Sequence, residues 1–197
     1  QNGKPTGRWN TINLFNHAKG EFIARCEGDD FWICDRKLQK QIKFLEKNPD
    51  FVVCFHEVKW LKNGKLIKEA NLPPSGKKYY GAEDLFLNDN FIRTCSVVYR
   101  NGLIRKIPRW FYTVPYGDVA MHFLFAQHGK IGYLPETMAV YRVNRDGIYS
   151  GENSFVNLAK SILTYTMVAK QFGYCHKASY KIGLSKIYHW AGVEALK

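Results

Sequence analysis

The order of predicted elements near the start of the chain constrains its fold most strongly. Residues 21–26, EFIARC, predict a short strand, and the acidic turn EGDD (27–30) follows at its carboxyl end. A helix capped by Asp35 is predicted next, because apolar residues recur at helical spacing, and FVVCFHEVKWL (51–61) then predicts a buried strand. A strand, a helix and a second strand in this order predict an α/β sheet, in which ligands bind beyond the carboxyl ends of the strands.

The acidic turn contrasts with the charge of the whole chain. Glu27, Asp29 and Asp30 place three carboxylates within four positions, although the 197 residues carry a net charge of +12. Carboxylates this close repel one another unless a cation or the backbone donors of a turn neutralise them. A solvated turn around Gly28 and a metal site are therefore both open interpretations.

Composition narrows the class of protein. A hydrophobic fraction of 46% over 197 residues is sufficient for one sizeable core, and 15% aromatic residues exclude a disordered chain. The excess of basic residues favours polyanionic partners such as nucleotide diphosphates, nucleic acids or anionic lipids. Five widely spaced cysteines without a C-x-x-C pair predict reduced thiols in a cytoplasmic protein. No apolar run reaches the roughly 20 residues of a membrane span.

The remainder of the chain continues the α/β pattern. Residues 91–101 predict a strand, and 116–128 predict a helix that begins at Gly117 and Asp118. Strand patterns follow on either side of Pro135. Beyond residue 151, apolar stripes of helical period predict a helical tail.

These segments resemble the family 2 glycosyltransferases, inverting enzymes with the GT-A fold. The resemblance rests on AKGEFIARCEGDDFW followed by KLQKQIKFLEKNPDFVVCFHEV, on RTCSVVYRN, and on YGDVAMHFLFAQHGKIGYLPETMAVYRVN, from about residue 8 to residue 150. It implies a Rossmann-like mixed sheet with flanking helices, followed by the helical tail. The implied activity is transfer of a sugar from a nucleotide-diphosphate donor to a hydroxyl acceptor of a cell-envelope glycan or glycolipid.

The resemblance implies a role for each candidate site residue. EGDD matches the family's D-x-D region, so Asp29 is expected to bind Mg²⁺ or Mn²⁺ and Glu27 to contact the sugar or ribose, while Asp30 contacts the donor or only organises the turn. The cation would neutralise the leaving diphosphate through carboxylate oxygens. Asp118 matches the catalytic base, which takes the proton of the attacking acceptor hydroxyl. Arg142 in YRVN matches an arginine that binds the donor phosphates.

Four positions qualify these assignments. Gly-Asp at a helix start explains Asp118 equally well as a helix cap. Relatives often carry a histidine that helps hold the metal or diphosphate where this chain has Asn144, which points to weaker metal binding. Relatives also often place tryptophans at the positions of Val119 and His122, and the difference points to another acceptor.

The resemblance also predicts that the chain is incomplete. Family members begin with an apolar strand and a nucleotide-binding half, whereas this chain begins inside the segment before the D-x-D strand. We therefore expect a fragment, or a degenerate gene product, that lacks two βα units, and the activity of the fragment itself is left open. The predicted division is a partial GT-A-like catalytic domain at 1–150 and a helical extension packed on it at 151–197. The strand at 21–26 is expected to be central, and one sheet edge should be exposed.

Two other classes of protein remain as alternatives. A polymerase palm carries GDD on a hairpin, but 197 residues leave little room for fingers and thumb, and a helix is predicted after Asp30 in place of a returning strand. A non-catalytic basic module on nucleic acid or membrane is the other alternative. Scattered lysines without an aromatic and basic motif argue against a specific nucleic-acid partner.

The tail predicts a further surface. It carries six lysines, two glutamates and no arginine, and packing across the catalytic layer is the first use expected of its apolar stripes. Because enzymes of this family often act on lipid-linked acceptors, the resemblance adds contact of Tyr188, Trp190 and the lysines with an anionic membrane surface. The predicted location is cytoplasmic, with peripheral contact on the inner face of the membrane.

Overall fold

The computed structural model describes residues 7–68, 71–144, 153–172 and 177–195. Helices and strands alternate along most of the chain. The helices are α1 (Gly7–His17), α2 (Lys37–Lys47), α3 (Ala82–Leu87), α4 (Gly117–Ala126), α5 (Ser154–Phe172) and α6 (Lys177–Ala195). The strands are β1 (Phe22–Ala24), β2 (Phe31–Trp32), β3 (Phe51–Lys62), β4 (Lys65–Lys68), β5 (Val98–Arg100) and β6 (Lys130–Val143).

These strands form one mixed sheet. Its order is β1-β5-β3-β6-β2, and β4 pairs with the distal end of β3 through a tight turn at Asn63 and Gly64, both with positive φ. The long strands β3 and β6 run parallel, while the other pairs are antiparallel. The predicted α/β class, a mixed sheet with flanking helices and a helical C-terminal tail, is confirmed.

The position of β1 differs from the prediction. The strand lies at an edge of the sheet, where Ile23 faces Tyr99 of β5, and among the described strands it has no second neighbour. A three-residue apolar strand carries no signal for the number of its neighbours, so its pattern could not separate a central strand from an edge strand. The acidic turn does follow the carboxyl end of β1, as expected.

Two hydrophobic layers cover the sheet. Because side chains alternate along a strand, Val53 and Phe55 of β3 enter the main core with α3, α4 and α5, while Cys54 packs with Leu45 of α2 on the opposite face. The prediction of Asp35 as the cap of α2 is wrong. Arg36 occupies the cap position and makes no capping hydrogen bond through its side chain.

Two strand predictions needed the tertiary structure for their boundaries. The pattern at 91–101 yields only β5, because residues Thr94–Ser96 form a 3₁₀ turn in which the amide of Ser96 donates to the carbonyl of Arg93. Pro135 does not divide β6. The pairing with β3 shifts register near Glu57, and this irregularity accommodates a residue that lacks an amide donor.

The C-terminal helices pack as a pair against α3 and α4. Tyr165 and Val168 of α5 enter the main core, and the Tyr116 hydroxyl donates to Asn157 Oδ1 at 2.8 Å. On α6, Gly183 lies directly against the backbone of Phe86. Among the described segments, no helix combines the length and apolarity that crossing a membrane requires.

Candidate functional site

The end of β6 holds the acidic turn in place. The backbone amide of Arg142 donates to Asp30 Oδ1, and its Nε donates to the carbonyl oxygen of Asp29, both at 2.8 Å. Asn144 Nδ2 donates to Asp29 Oδ2, also at 2.8 Å. The structure thus brings Asp29 and Asp30 together with Arg142, which lies more than 100 residues further along the chain. Asn144, which stands where the resemblance implies a histidine, therefore contacts the turn through its side-chain amide.

The two aspartates have different environments. Asp30 is almost buried, which raises the pKa of its carboxyl, although hydrogen bonds from the Arg142 amide and the Cys95 thiol oppose this effect. Asp29 is exposed beside it. Asp29 is therefore the carboxylate of this pair that a cation from solvent can reach, while Asp30 ties the turn to β6.

Glu27 is subject to repulsion both from the turn and from α4. Removal of water by the surrounding protein is the main cause that raises the pKa of Glu27 to about 7, although part of its side chain reaches the surface. Repulsion from Asp118 is the second cause, and Asp30 and Asp29 add smaller contributions. Because such repulsion decays with distance, the three predicted acids lie close enough to influence the same carboxyl. The charge of Asp118 therefore acts on the same carboxyl as the charges of the turn.

The environment of Asp118 argues against the helix-cap interpretation. Tyr116 occupies the cap position of α4 and makes no capping hydrogen bond through its side chain. Asp118 lies in the first helical turn, where its Oδ2 accepts a hydrogen bond from Asn90 Nδ2 at 3.4 Å. One turn further along, His122 is fully buried and its Nδ1 lies 2.7 Å from the Tyr99 hydroxyl. Burial lowers the pKa of His122 to about 4, so the imidazole one helical turn after Asp118 is neutral at neutral pH.

An aromatic and basic cluster that the sequence did not predict forms where β3 and β6 pair. The Arg93 guanidinium lies 5.2 Å from the ring centroid of Trp60, and the rings of Trp60 and Tyr141 are 5.6 Å apart. Burial is the main cause that raises the pKa of Tyr141 to about 12, and repulsion from Glu27 and Asp118 adds to it. The pairing of β3 with β6 creates this cluster, and the sequence carried no signal for it beyond the position of Tyr141 next to Arg142.

The residues of the turn fit a weakly held cation better than an enclosed metal site. Within the described residues, no three His, Cys, Asp or Glu side chains are grouped so that they could hold a metal ion. Mg²⁺ usually takes one or two carboxylates together with phosphate oxygens and water. The exposed carboxylate of Asp29 suits a cation that arrives with a diphosphate.

A groove of about 630 Å³ lies beside the turn, between α1 and the edge strand β1. Its lining includes Thr11 and Phe15 of α1 and continues through Arg25 to Glu27 and Gly28. The groove therefore opens next to the carboxylates.

The segment after Asp30 separates this site from a polymerase palm. A strand, β2, does follow the turn, contrary to the prediction that a helix comes next. However, Phe31 and Trp32 of β2 pair with Val140 and Ala139 of β6 and not with β1. The acidic turn is therefore not the tip of a two-stranded hairpin.

The described cysteines form no disulfide with one another. Cys26, Cys34, Cys54 and Cys95 are unpaired in the structure, whereas Cys175 lies outside the described residues. Burial raises the pKa of the Cys54 thiol to about 12, so this thiol stays protonated at neutral pH.

Comparisons with known proteins give distant similarities. No family model matches the chain. Uncharacterized proteins of Mycobacterium tuberculosis and Mycobacterium bovis are 39% identical over 141 residues, which is 71% of this chain and 40% of each relative. The chain thus spans less than half the length of these relatives.

Two further proteins carry more informative names. A protein of Methanocaldococcus jannaschii named as an uncharacterized glycosyltransferase is 26% identical over 106 residues, or 53% of this chain and 34% of that protein. A crystal structure of residues 1–349 of S. aureus TarS aligns with a TM-score of 0.45 and 13% identity, covering 86% of this chain and 52% of that chain.

Proposed function

We propose that this chain is part of an inverting glycosyltransferase of the family 2 type, which transfers a sugar from a nucleotide-diphosphate donor to a hydroxyl group of a glycan or lipid-linked acceptor. The observation that carries the proposal is the acidic turn at the carboxyl end of β1, where Arg142 and Asn144 hold Asp29 and Asp30 through hydrogen bonds of 2.8 Å. The name of the archaeal relative supports glycosyl transfer in general. The proposal extends to the whole protein, because the chain spans only 40% of the length of its mycobacterial relatives.

The acidic turn would bind the donor. Asp29 would be the protein ligand of Mg²⁺ or Mn²⁺, and this cation would neutralise charge on the diphosphate. Arg142 would contact the phosphates, since its Nε hydrogen bond to the carbonyl of Asp29 holds the guanidinium beside the turn. Glu27 would contact the sugar or ribose. Asp30 would position the turn through its bond to the amide of Arg142.

Asp118 would act on the acceptor. Its carboxylate would take the hydroxyl proton while the acceptor oxygen bonds to the anomeric carbon, and the bond from that carbon to the diphosphate oxygen would break with its electron pair leaving on the diphosphate. Attack from the face opposite the leaving group inverts the anomeric centre. Asn90 would hold the Asp118 carboxylate through its hydrogen bond to Oδ2.

Donor binding gives the first test. In the full-length protein that contains this chain, titration calorimetry of UDP and GDP with and without Mn²⁺ should show cation-dependent binding, and Asp29→Asn should weaken that binding about tenfold because one metal ligand is lost. Asp35→Asn is the matched control, since Asp35 is an exposed aspartate six residues further along the chain, beyond β2. Equal losses in both variants, or tight binding of single-stranded nucleic acid with no response to nucleotides, would contradict the proposal.

The base gives the second test. In the full-length protein that contains this chain, Asp118→Asn should lower kcat by about 10²–10⁴-fold, because a general base contributes mainly in the transition state. The nucleotide Kd should change less than about twofold. Retained turnover would show that another group takes the proton.

A further inference from the structure

The helix α5 presents apolar side chains away from the core. One side of the helix carries four apolar residues, each one, three or four positions after the last: Phe155, Val156, Ala159 and Leu163. Phe155 is 55% exposed and Leu163 is 50% exposed, whereas Val168, on the opposite side, is fully buried in the main core. This side of α5 is therefore apolar although it faces solvent.

The second helix extends this surface. Ser154 Oγ donates to Glu194 Oε1 at 2.6 Å, and the Tyr180 hydroxyl lies 3.5 Å from Thr166 Oγ1, so α5 and α6 run antiparallel. This alignment places Tyr188 level with Ala159. Tyr188 is 56% exposed. We define the outer face as Phe155, Val156, Ala159, Leu163 and Tyr188.

Basic residues adjoin the outer face at its other end. Lys170 lies seven residues after Leu163 and Lys181 lies seven residues before Tyr188, so each continues the side of its helix that carries the apolar residues. Both lysines are exposed. In the described parts of the two helices, five lysines stand against one acidic residue, Glu194.

We propose that the outer face binds the surface of an anionic lipid bilayer. Aromatic and aliphatic side chains of an amphipathic helix enter the boundary between headgroups and acyl chains, and lysines beside them attract anionic headgroups. A second copy of the chain fits this surface less well, because pairing would bring Lys170 and Lys181 against like charges or against the apolar residues. The inference does not depend on the proposed enzymatic activity.

Vesicle co-sedimentation of the full chain tests the proposal. Binding to vesicles of phosphatidylcholine with phosphatidylglycerol should exceed binding to phosphatidylcholine alone. Replacing both Phe155 and Leu163 with serine should lower the partition coefficient at least tenfold, and Lys170→Gln and Lys181→Gln should each lower it about fivefold. The matched control replaces Leu66 and Ile67, which are 57% and 44% exposed on β4, with serine and should leave binding unchanged.

Three outcomes of these measurements would overturn the proposal, and a salt titration adds a fourth. The first is equal binding to neutral and anionic vesicles. The second is equal effects of the outer-face and β4 substitutions, with far-ultraviolet circular dichroism as the check that every variant is folded. The third is a dimer in lipid-free ultracentrifugation that the Phe155 and Leu163 substitutions dissociate, which would assign the face to a second copy. A salt titration uses the wild-type chain alone and so does not depend on whether a variant folds. Raising salt to about 0.5 M should release the protein from anionic vesicles, and retention would count against the proposal.

Discussion

Replacing Gln41 with leucine should leave a buried ammonium group without its acceptor. Gln41 is fully buried on α2, where its amide donates to the carbonyls of Cys54 at 2.8 Å and Ser96 at 2.9 Å. Its Oε1 accepts a hydrogen bond from Lys37 Nζ at 2.8 Å. Lys37 is itself fully buried, with its ammonium 4.2 Å from the ring centroid of Trp32. Leucine has nearly the size of glutamine but offers neither donor nor acceptor.

The magnitude follows from these contacts. Burial lowers the pKa of Lys37 from 10.5 to about 8, which corresponds to about 3 kcal/mol against the charged form at neutral pH. The substitution adds to this cost. Loss of a hydrogen bond from a charged donor costs about 1.5–3 kcal/mol, and each of the two carbonyls left without its donor costs about 1 kcal/mol. We therefore expect Gln41→Leu to lower the free energy of unfolding by about 4 kcal/mol at pH 7.

The pH dependence has a defined sign. A lysine whose pKa is lowered in the folded state destabilises that state at every pH below its folded pKa, and the cost disappears as pH rises from about 8 toward 10.5. Loss of the Gln41 acceptor lowers the pKa of Lys37 further, so the deficit of the variant should shrink as pH rises toward about 8, the pKa of Lys37 in the folded wild type, and change little above it. Other groups titrate in both proteins, and their contributions cancel in the difference.

Urea unfolding of four proteins and one control variant measures the effect. The set is the wild type, Gln41→Leu, Lys37→Met and the double variant, with Gln39→Leu as the control because Gln39 is exposed on the same helix. Gln39→Leu should change stability by less than about 0.5 kcal/mol. In the double-mutant cycle, Gln41→Leu should cost about 2 kcal/mol less when Lys37 is already methionine. An equal cost in both backgrounds would refute the argument that the uncompensated charge causes the loss.

Two further predictions concern a buried histidine and a close helix contact. His56 is buried, which lowers the pKa of its imidazole from 6.5 to about 3, so the folded state loses stability as pH falls through that interval. His56→Asn should remove about 2 kcal/mol of the loss between pH 6.5 and pH 4.5 in acid unfolding curves, and an unchanged slope would contradict the assignment. A Cβ at Gly183 would lie 1.8 Å from the carbonyl oxygen of Phe86, so Gly183→Ala should destabilise the protein by about 3 kcal/mol in urea unfolding. Gly192→Ala on the same helix meets no atom within 4 Å and should stabilise by up to about 1 kcal/mol; comparable losses in both would show that helix packing is not the cause.

Local patterns in the sequence determined the main elements of this protein. The spacing of apolar residues predicted α2 and the two C-terminal helices, and the apolar run at 51–61 predicted β3. The start of α4 at Gly117 and the acidic turn after β1 were also predicted. These features are readable because helix period, strand composition and turn residues depend on neighbours within a few positions.

The tertiary structure decided the contacts between segments that are distant in sequence. It placed β1 at the sheet edge, paired β2 with β6, and put Asn144 in contact with Asp29. A shared site of the acidic turn and Asp118 stays a prediction from the resemblance, and the Trp60 and Tyr141 cluster and the acceptor for Lys37 had no local signal. Strand pairing and burial produce these contacts, because each depends on which residues from remote parts of the chain pack together and not on the residues adjacent in sequence.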